Sequence, residues 1–199
     1  MKVQETFNKT VQGEGYWAGV PCDFIRLYGC PVGCPWCDTG YADGGKDLNF
    51  IEVQPRDLAL QTVSDRVVIT GGEPFVSPHL GSLIQSLKHC GKKIHIETSG
   101  IRFLDFPDVW ITLSPKEHAS SSNVDDRFWG RADEVKIVVQ FVADFELYLD
   151  RIDRSKPVFV QPCDTGLPLE QSIKPVLEIV EKYQWVRLGL QLHKIIGVD

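Results

Sequence analysis

The fold is decided by Asp23-Phe24-Ile25-Arg26-Leu27-Tyr28 and by the segment that follows it directly, Gly29-Cys30-Pro31-Val32-Gly33-Cys34-Pro35-Trp36-Cys37. The first stretch is short and rich in apolar and aromatic side chains, which predicts a buried β-strand. The second stretch places three cysteines within eight residues, on a loop that contains glycine and proline. A buried strand that ends in ligand-type residues is typical of α/β proteins, whose reactive groups lie beyond the carboxyl ends of parallel strands.

Short apolar runs alternate with amphipathic stretches along the rest of the chain. The runs predict seven strands, over Asp23–Tyr28, Arg66–Thr70, Lys93–Glu97, Val109–Leu113, Glu134–Val139, Pro157–Gln161 and Trp185–Leu190. The amphipathic stretches predict helices over Pro55–Val63, Pro78–Cys90, Ala143–Ile152 and Leu169–Tyr183, the last bent or interrupted by Pro175. This alternation predicts a mostly parallel sheet, either open and doubly wound or an incomplete (β/α) barrel. Because no linker divides the 199 residues, we expect a single domain over residues 1–199.

The composition limits which classes of binding partner and which cellular compartment we expect. The net charge is −6 and no run of Lys and Arg is present, which argues against direct binding of nucleic acid. The segment Met1–Glu5 lacks the apolar core of a signal peptide, and no stretch has the length of a transmembrane helix. We therefore expect a cytoplasmic protein with no membrane partner, in which six cysteines need not form disulfides.

Polar, glycine-rich or ligand-type residues follow nearly every predicted strand. After the cysteine loop, the later exits are Gly71–Pro74, Thr98–Gly100, Ser114–Lys116, Gln161–Asp164 and Gln191–Lys194. Because the carboxyl ends of parallel strands meet at one edge of a sheet, we expect these residues to converge on one face.

The three clustered cysteines form a C-x3-C-x2-C pattern, Cys30, Cys34 and Cys37. Three thiolates directed at one centre suit an iron–sulfur cluster, and a four-iron cluster held this way keeps one iron open for a substrate. A structural zinc site would need a fourth ligand, such as Cys22, Cys163 or a histidine. Inert buried thiols are a third interpretation. The spacing favours metal over inert thiols and leaves iron and zinc open.

Two motifs together resemble the radical S-adenosylmethionine (SAM) superfamily: the cysteine triad, and Gly71-Gly72-Glu73-Pro74 after the next strand. Trp36 adds to the resemblance, because that superfamily typically places an aromatic residue before the third cysteine, against the adenine. The resemblance covers nearly the whole chain. It implies a 4Fe–4S cluster on the three cysteines, with SAM chelating the open iron through its amino and carboxylate groups. It also implies an incomplete (β/α) barrel of about six to seven mostly parallel strands.

Within that superfamily, the chain is similar to the 7-carboxy-7-deazaguanine synthase family of the queuosine and archaeosine pathways. Val11-Gln12-Gly13-Glu14-Gly15 matches a segment that helps to hold the pterin substrate, and Arg26 matches an arginine that meets the substrate carboxylate. In Cys37-Asp38-Thr39, the threonine matches a contributor to a magnesium site beside the substrate. Without the family, these segments would be interpreted as a glycine turn, a salt bridge and a helix cap. Pro31 departs from the family, which often has Asn after the first cysteine.

The resemblance assigns the candidate site residues to three groups. The expected cofactor contacts are Trp36, Cys37, Asp38, Gly72, Glu73, Glu97, Ser114, Pro115, Lys116, Gln161, Pro162, Cys163 and Asp164. The expected substrate contacts are Val11, Gln12, Gly13, Glu14, Arg26, Thr70, His193 and the final residue, Asp199. The expected metal ligands are Cys30, Cys34 and Cys37 for the cluster and Thr39 for Mg²⁺. Apart from the expected cofactor contact of the segment that contains Cys163, the three cysteines Cys22, Cys90 and Cys163 have no assigned role beyond packing.

The implied reaction starts when a 5′-deoxyadenosyl radical removes hydrogen from C6 of 6-carboxy-5,6,7,8-tetrahydropterin. Ring contraction with loss of ammonia then yields 7-carboxy-7-deazaguanine. The resemblance also implies a flavodoxin- or ferredoxin-type electron donor and a homodimer. Two alternatives remain: an activating enzyme that installs a glycyl radical on a partner protein, and a non-catalytic zinc-binding module. A small carboxylated ligand, rather than a partner protein, is favoured by Gln12–Glu14, Arg26, Thr39 and Gln191–Lys194. The metal content of the protein, iron or zinc, decides whether it is a zinc-binding module.

Overall fold

The computed structural model describes residues 1–198 and contains one β-sheet of nine strands. The strands are β1 (Lys2–Val11), β2 (Pro21–Leu27), β3 (Ile51–Glu52), β4 (Arg66–Gly71), β5 (Lys93–Thr98), β6 (Trp110–Leu113), β7 (Glu134–Val139), β8 (Val158–Pro162) and β9 (Arg187–Leu188). Their order across the sheet is β3-β1-β2-β4-β5-β6-β7-β8-β9. Strand β2 and strands β4 to β9 are mutually parallel, whereas β1 is antiparallel to β2 and to β3. The sheet is mostly parallel and not closed, which confirms the expected incomplete barrel.

Seven α-helices accompany the described part of the sheet. They are α1 (Pro55–Leu60), α2 (Leu80–His89), α3 (Arg127–Arg131), α4 (Val142–Glu146), α5 (Leu169–Ser172), α6 (Lys174–Lys182) and α7 (Leu192–Ile196). Pro175 lies in the first turn of α6, where its missing N–H leaves no helical hydrogen bond unmade, so the predicted long helix is two. None of the helices within residues 1–198 has the length and apolar character needed to cross a lipid bilayer.

The predicted strands lie within two residues of their observed ends, but the sequence prediction omitted several elements. Strands β1 and β3 were not predicted, because β1 carries mostly polar side chains and is held by backbone pairing on both sides. Helices α3 and α7 were also not predicted. Residues 191–194, expected as a strand exit, instead cap and begin α7. The expected helix over Ala143–Ile152 is shorter and ends at Glu146.

The two faces of the parallel sheet carry different side chains. On β5, Ile94 and Ile96 join the hydrophobic core that packs against the helices. The alternating residues His95 and Glu97 point to the opposite face, because successive side chains of a strand alternate. We call this opposite face the cavity face. At the carboxyl ends of its strands, it bears the polar residues of the candidate site.

Candidate active site

A cavity of about 590 Å³ lies at the carboxyl ends of the parallel strands. The sequence-predicted residues that line it are Val11, Gln12, Gly13, Glu14, Arg26, Cys30, Cys34, Trp36, Cys37, Asp38, Thr39, Thr70, Gly72, Glu97, Ser114, Lys116, Gln161, Pro162, Asp164 and His193. Three predicted cofactor contacts, Glu73, Pro115 and Cys163, are not among the lining residues. Asp199 lies outside the described residues. The chain thus brings together side chains from six strand exits and the segment before β2.

The cysteine loop contributes three unbonded thiols to this cavity. Cys34 is buried, Cys30 and Cys37 are partly exposed, and none of the three is in a disulfide. Burial raises the pKa of Cys30 to about 11 and also raises the pKa of Cys34, so neither thiol ionises readily without a cation. The Cys37 N–H donates to the Cys34 carbonyl oxygen over 3.1 Å, which turns the loop back on itself.

Within residues 1–198, no three His, Cys, Asp or Glu side chains are grouped so as to hold one metal ion. A structural zinc ion needs four ligands at about 2.0–2.3 Å from a single centre. An iron–sulfur cluster instead offers a separate iron to each thiolate, so its cysteines share a cavity without meeting at one point. The donor set therefore fits a cluster and does not fit a preformed zinc site.

The glycine segment after β4 packs directly on the start of the cysteine loop. The Gly72 N–H donates to the Leu27 carbonyl over 3.0 Å, and the Glu73 N–H donates to the Gly29 carbonyl over 2.9 Å. A Cβ atom at Gly72 would overlap the Gly29 carbonyl group, so only glycine allows this approach.

Glu73 is buried, and its carboxylate joins two strand exits. It accepts hydrogen bonds from the Thr98 hydroxyl over 2.7 Å and from the Ser99 N–H over 2.8 Å. Its side chain therefore links the end of β4 to the end of β5 beneath the cavity lining. Its expected role as a cofactor contact stays a prediction.

Trp36 is held on one side by a residue that the sequence analysis did not single out. The His118 ring stacks on the Trp36 ring with centroids 5.9 Å apart and 22° between planes. The His118 Nδ1 atom lies 2.8 Å from the Tyr148 hydroxyl, which fixes the imidazole. The Lys116 amine lies 5.3 Å from the centroid of the Trp36 ring.

The floor of the cavity is a buried charge cluster around Lys136. The Lys136 amine contacts Glu14, and it lies 3.2 Å from Glu97 Oε2. The Gln12 amide donates to Glu97 Oε1 over 2.9 Å. Burial alone would lower the pKa of Lys136, but the charges of Glu14 and Glu97 raise it above its usual value. Burial alone would raise the pKa of Glu97, but Lys136 and Gln12 hold it below its usual value.

Glu14 also receives two amide donors from distant strand exits. Gln161 Nε2 donates to Glu14 Oε1 over 3.2 Å, and Gln191 Nε2 donates to the same oxygen over 2.9 Å. The Gln161 Oε1 atom is buried and accepts no hydrogen bond from residues 1–198. An unused acceptor in a cavity wall is positioned for a donor on a ligand.

Arg26 lies at one side wall, at the end of β2. Its Nε donates to Glu5 Oε1 over 2.7 Å, and its Nη1 donates to the Thr39 hydroxyl over 3.2 Å. Its Nη2 makes no hydrogen bond to the residues that the structure describes. Thr39, the expected magnesium ligand, also donates to Asp38 Oδ1 over 3.3 Å. Arg26 and Thr39 are thus brought together, as expected for residues that act on one ligand.

Helix α7 closes the remaining side of the cavity. The Leu192 N–H donates to the Gly13 carbonyl over 2.9 Å, and a Cβ atom at Gly13 would overlap the His193 ring. The Lys194 amine lies 3.0 Å from Asp38 Oδ2 and 2.7 Å from Asp164 Oδ2. Burial would raise the pKa of Asp38, but the Lys194 hydrogen bond and charge lower it.

Below the floor, a second polar layer crosses the cavity face. His95 Nε2 lies 2.6 Å from the Thr112 hydroxyl, which donates to Glu134 Oε1 over 2.5 Å. Burial, with the charges of Lys136 and Arg66, lowers the pKa of His95 well below its usual range, so its imidazole is neutral. The sequence analysis missed His95, Glu134 and Lys136. Their signal was polar residues at alternating positions of otherwise apolar strands, at 93, 95 and 97 in Lys93–Thr98 and at 134 and 136 in Glu134–Val139.

Comparison with known proteins gives consistent matches. The model of the radical SAM superfamily matches residues 24–116. A 7-carboxy-7-deazaguanine synthase from Synechocystis sp. is 36% identical over 206 residues, covering 98% of this chain and 92% of that protein. The protein of the same name from Escherichia coli strain K12 is 32% identical over 232 residues, covering 98% of each. A crystal structure of QueE from Escherichia coli superposes with a TM-score of 0.77 at 31% identity, covering 96% of this chain and 94% of that chain.

Proposed function

We infer that this chain, which belongs to the radical SAM superfamily and within it to the 7-carboxy-7-deazaguanine synthase family, is a ring-contracting lyase of 7-deazapurine biosynthesis. Its proposed reaction converts 6-carboxy-5,6,7,8-tetrahydropterin to 7-carboxy-7-deazaguanine with loss of ammonia. The relatives named above support this reading and give no support to the glycyl-radical alternative.

One observation carries the proposal: a single cavity of about 590 Å³ is lined both by the three cysteines and by the expected pterin contacts. Cys30, Cys34 and Cys37 lie on one wall, while Gln12, Glu14 and Arg26 lie on others. A radical generated at the first wall would therefore be enclosed with its substrate. Such enclosure is needed because water and solvent groups quench reactive intermediates.

The cofactor side of the cavity fits a cluster and SAM by its donor chemistry. The three thiols would hold the cluster, and the close approach at Gly72 leaves backbone rather than side chain facing the cysteine loop. When bound, the reduced cluster and SAM supply the radical chemistry that removes hydrogen from the substrate. Trp36, stacked on His118, offers a fixed aromatic surface for the adenine.

On the substrate side, the amides and carboxylates of the floor suit a pterin ring. The unused Gln161 Oε1 would accept from a ring N–H or amino group, and Glu14 presents a carboxylate held by Lys136. Arg26 would meet the substrate carboxylate through its free Nη2, with Glu5 fixing the plane of the guanidinium. These residues bind and orient the pterin, which sets the atom that loses hydrogen.

We further propose Mg²⁺ beside Thr39, whose hydroxyl would complement water and substrate oxygens around a hard cation. The cation would neutralise the substrate carboxylate together with Arg26. A Thr39→Ala variant should lose most of the dependence of turnover on Mg²⁺. An undiminished dependence on Mg²⁺ would show that the cation does not bind at Thr39.

We also propose a flavodoxin- or ferredoxin-type electron donor, a homodimer, and a single catalytic domain over residues 1–199.

The deciding experiment is an anaerobic assay after cluster reconstitution. Brown protein with iron and sulfide, incubated with SAM, a reductant and 6-carboxy-5,6,7,8-tetrahydropterin, should form 7-carboxy-7-deazaguanine, identified by mass spectrometry. A Cys34→Ala protein taken through the same reconstitution is the matched control and should form none. Protein with a full cluster that leaves this pterin unchanged would exclude the proposed substrate. Colourless, zinc-containing protein would exclude the radical chemistry itself.

A further inference from the structure

A second cavity, of about 870 Å³, opens at the opposite end of the parallel strands from the active site. The first residues of three neighbouring strands line it: Arg66 of β4, Lys93 of β5 and Trp110 of β6. Trp17, from the turn that follows the Gln12–Glu14 segment, lines it as well. None of these residues takes part in the proposed reaction.

Arg66 is the unusual member of this group. The residue is 8% exposed, and its guanidinium makes no hydrogen bond and no ion pair to residues 1–198. Its close neighbour is the Trp17 ring, whose centroid lies 3.8 Å from the guanidinium carbon. The Arg66 Nε–H is buried without an acceptor, which is costly. Its Nη1 and Nη2 groups are not fully buried, and they also lack an acceptor among the described residues. The Trp17 ring offers a cation–π contact, but no oxygen acceptor of the described residues reaches the guanidinium.

Two further donors in the same cavity also lack acceptors. The indole N–H groups of Trp17 and Trp110 are buried and donate to no atom of the described residues. Buried polar groups in native proteins nearly always have partners, and those without one call for a ligand, an ion or water. Here the unmatched groups are all donors, so the missing partner is an acceptor.

The charges around the cavity point to an anion. Arg66 and Lys93 are paired across β4 and β5 in parallel register, so their side chains share a face and their like charges repel. Lys92 lies beside them and donates only to backbone carbonyls. The carboxylates of the cavity do not compensate these cations. Asp105 and Asp133 pair with Arg131, and Asp108 lies near Lys88.

We propose that this cavity is a second ligand site, which binds the oxyanion group of a small molecule, a phosphate or a carboxylate, through Arg66, Lys92 and Lys93. The planar fork of Arg66 suits such a group, because two parallel N–H donors match two oxygens. The indoles of Trp17 and Trp110 supply apolar surface beside it. The second site is separate from the cavity proposed for SAM and the pterin, so a test of this site does not depend on whether the proposed reaction is correct.

Equilibrium dialysis of the reconstituted holoenzyme tests this site, with radiolabelled inorganic phosphate in one arm and radiolabelled malonate in the other. SAM is kept saturating so that the cofactor side of the active-site cavity does not bind the probe, and an Arg26→Met control reports any binding on its substrate side. We expect about one equivalent of at least one probe per chain. Lys93→Gln should weaken its binding at least about tenfold, because an exposed cation next to the anion is lost. Arg66→Met should weaken it further.

Two control variants locate the binding. Lys174→Gln removes an exposed cation of α6 and should leave the affinity unchanged, as should Arg26→Met in the active site. Should Arg66→Met fail to fold, Lys93→Gln decides the question alone, because its side chain is exposed. Three results would overturn the proposal: neither probe binds, binding survives both Arg66→Met and Lys93→Gln, or binding disappears with Arg26→Met.

Discussion

Lys136 and Lys116 both line the active-site cavity, but only Lys136 is in direct contact with carboxylates. Lys136 is buried in the floor and contacts the carboxylates of Glu14 and Glu97. Lys116 lies on the wall with the cysteines, donates to the Ser114 hydroxyl over 2.5 Å, and pairs with no carboxylate of residues 1–198. Burial lowers the pKa of Lys116, whereas the two carboxylates raise the pKa of Lys136 in spite of its burial.

The difference indicates which side of the cavity has its charges balanced by the protein and which side lacks a negative partner for its lysine. The floor is neutralised by the protein itself, so its role is to hold Glu14, Gln12 and Glu97 in place. The wall gives Lys116 no directly paired carboxylate among residues 1–198, as expected where an anionic group arrives from outside. The SAM carboxylate is such a group in the proposed function, and the cluster would add negative charge on the same wall.

The largest effect should come from removing a thiol on the Lys116 side. In Cys34→Ala, we expect iron and sulfide to be largely lost and turnover to fall at least about 1,000-fold, because thiolates are the ligands of such clusters. Metal and sulfide analysis and the pterin assay measure both. Cys90→Ala removes an exposed cysteine outside the cavity and should keep the cluster and the activity. An intact cluster in Cys34→Ala would contradict the assignment of the ligands.

The next largest effect should come from the floor. Lys136→Met leaves Glu14 and Glu97 partly buried without a cation, which should lower the free energy of unfolding by about 3 kcal/mol. Urea denaturation of the wild type and the variant measures this loss. The double variant Lys136→Met/Glu97→Gln should regain part of it, because one unpaired charge is removed. A loss below about 1 kcal/mol would show that the floor is solvated and that the contrast with Lys116 is wrong.

Lys116→Met should separate binding from stability. No carboxylate is left unpaired, so we expect the free energy of unfolding to change by less than about 1 kcal/mol. The affinity for SAM should fall about tenfold, which corresponds to about 1.4 kcal/mol. Equilibrium dialysis of SAM with the reconstituted variant measures this affinity, and Lys174→Gln serves as the control. Unchanged SAM affinity together with strong destabilisation would assign Lys116 to the fold rather than to the cofactor.

The smallest effect is expected at the rim, where Lys194 pairs with Asp38 and Asp164 in partly exposed positions. Lys194→Met should lower the free energy of unfolding by less than about 1 kcal/mol, because exposed ion pairs contribute little. Thermal unfolding at low and high salt checks the cause, since screening should shrink the difference from the wild type. A difference that grows with salt would show that the lysine acts through packing of α7.

Much of the fold could be predicted from local patterns. The strands of the parallel sheet follow from short apolar runs, and the break at Pro175 follows from the geometry of proline. Strand β1 was not predicted because its pairing partners, and not its own side chains, make it a strand. Helix α7 was not predicted because its packing against Gly13 involves residues that are far apart in the sequence.

The sequence alone determined three features of the candidate site: the cysteine spacing, the glycine segment after β4 and the polar residues at strand exits. Each of them is a local pattern with its own chemistry. The tertiary structure alone decided which charges meet. Lys136 and Glu14 are 122 positions apart and come together because β7 and the segment before β2 face the same cavity. The register of β4 and β5 likewise places Arg66 beside Lys93 with no carboxylate to match them. Such pairings depend on strand order and register, which long-range packing determines and no local pattern encodes.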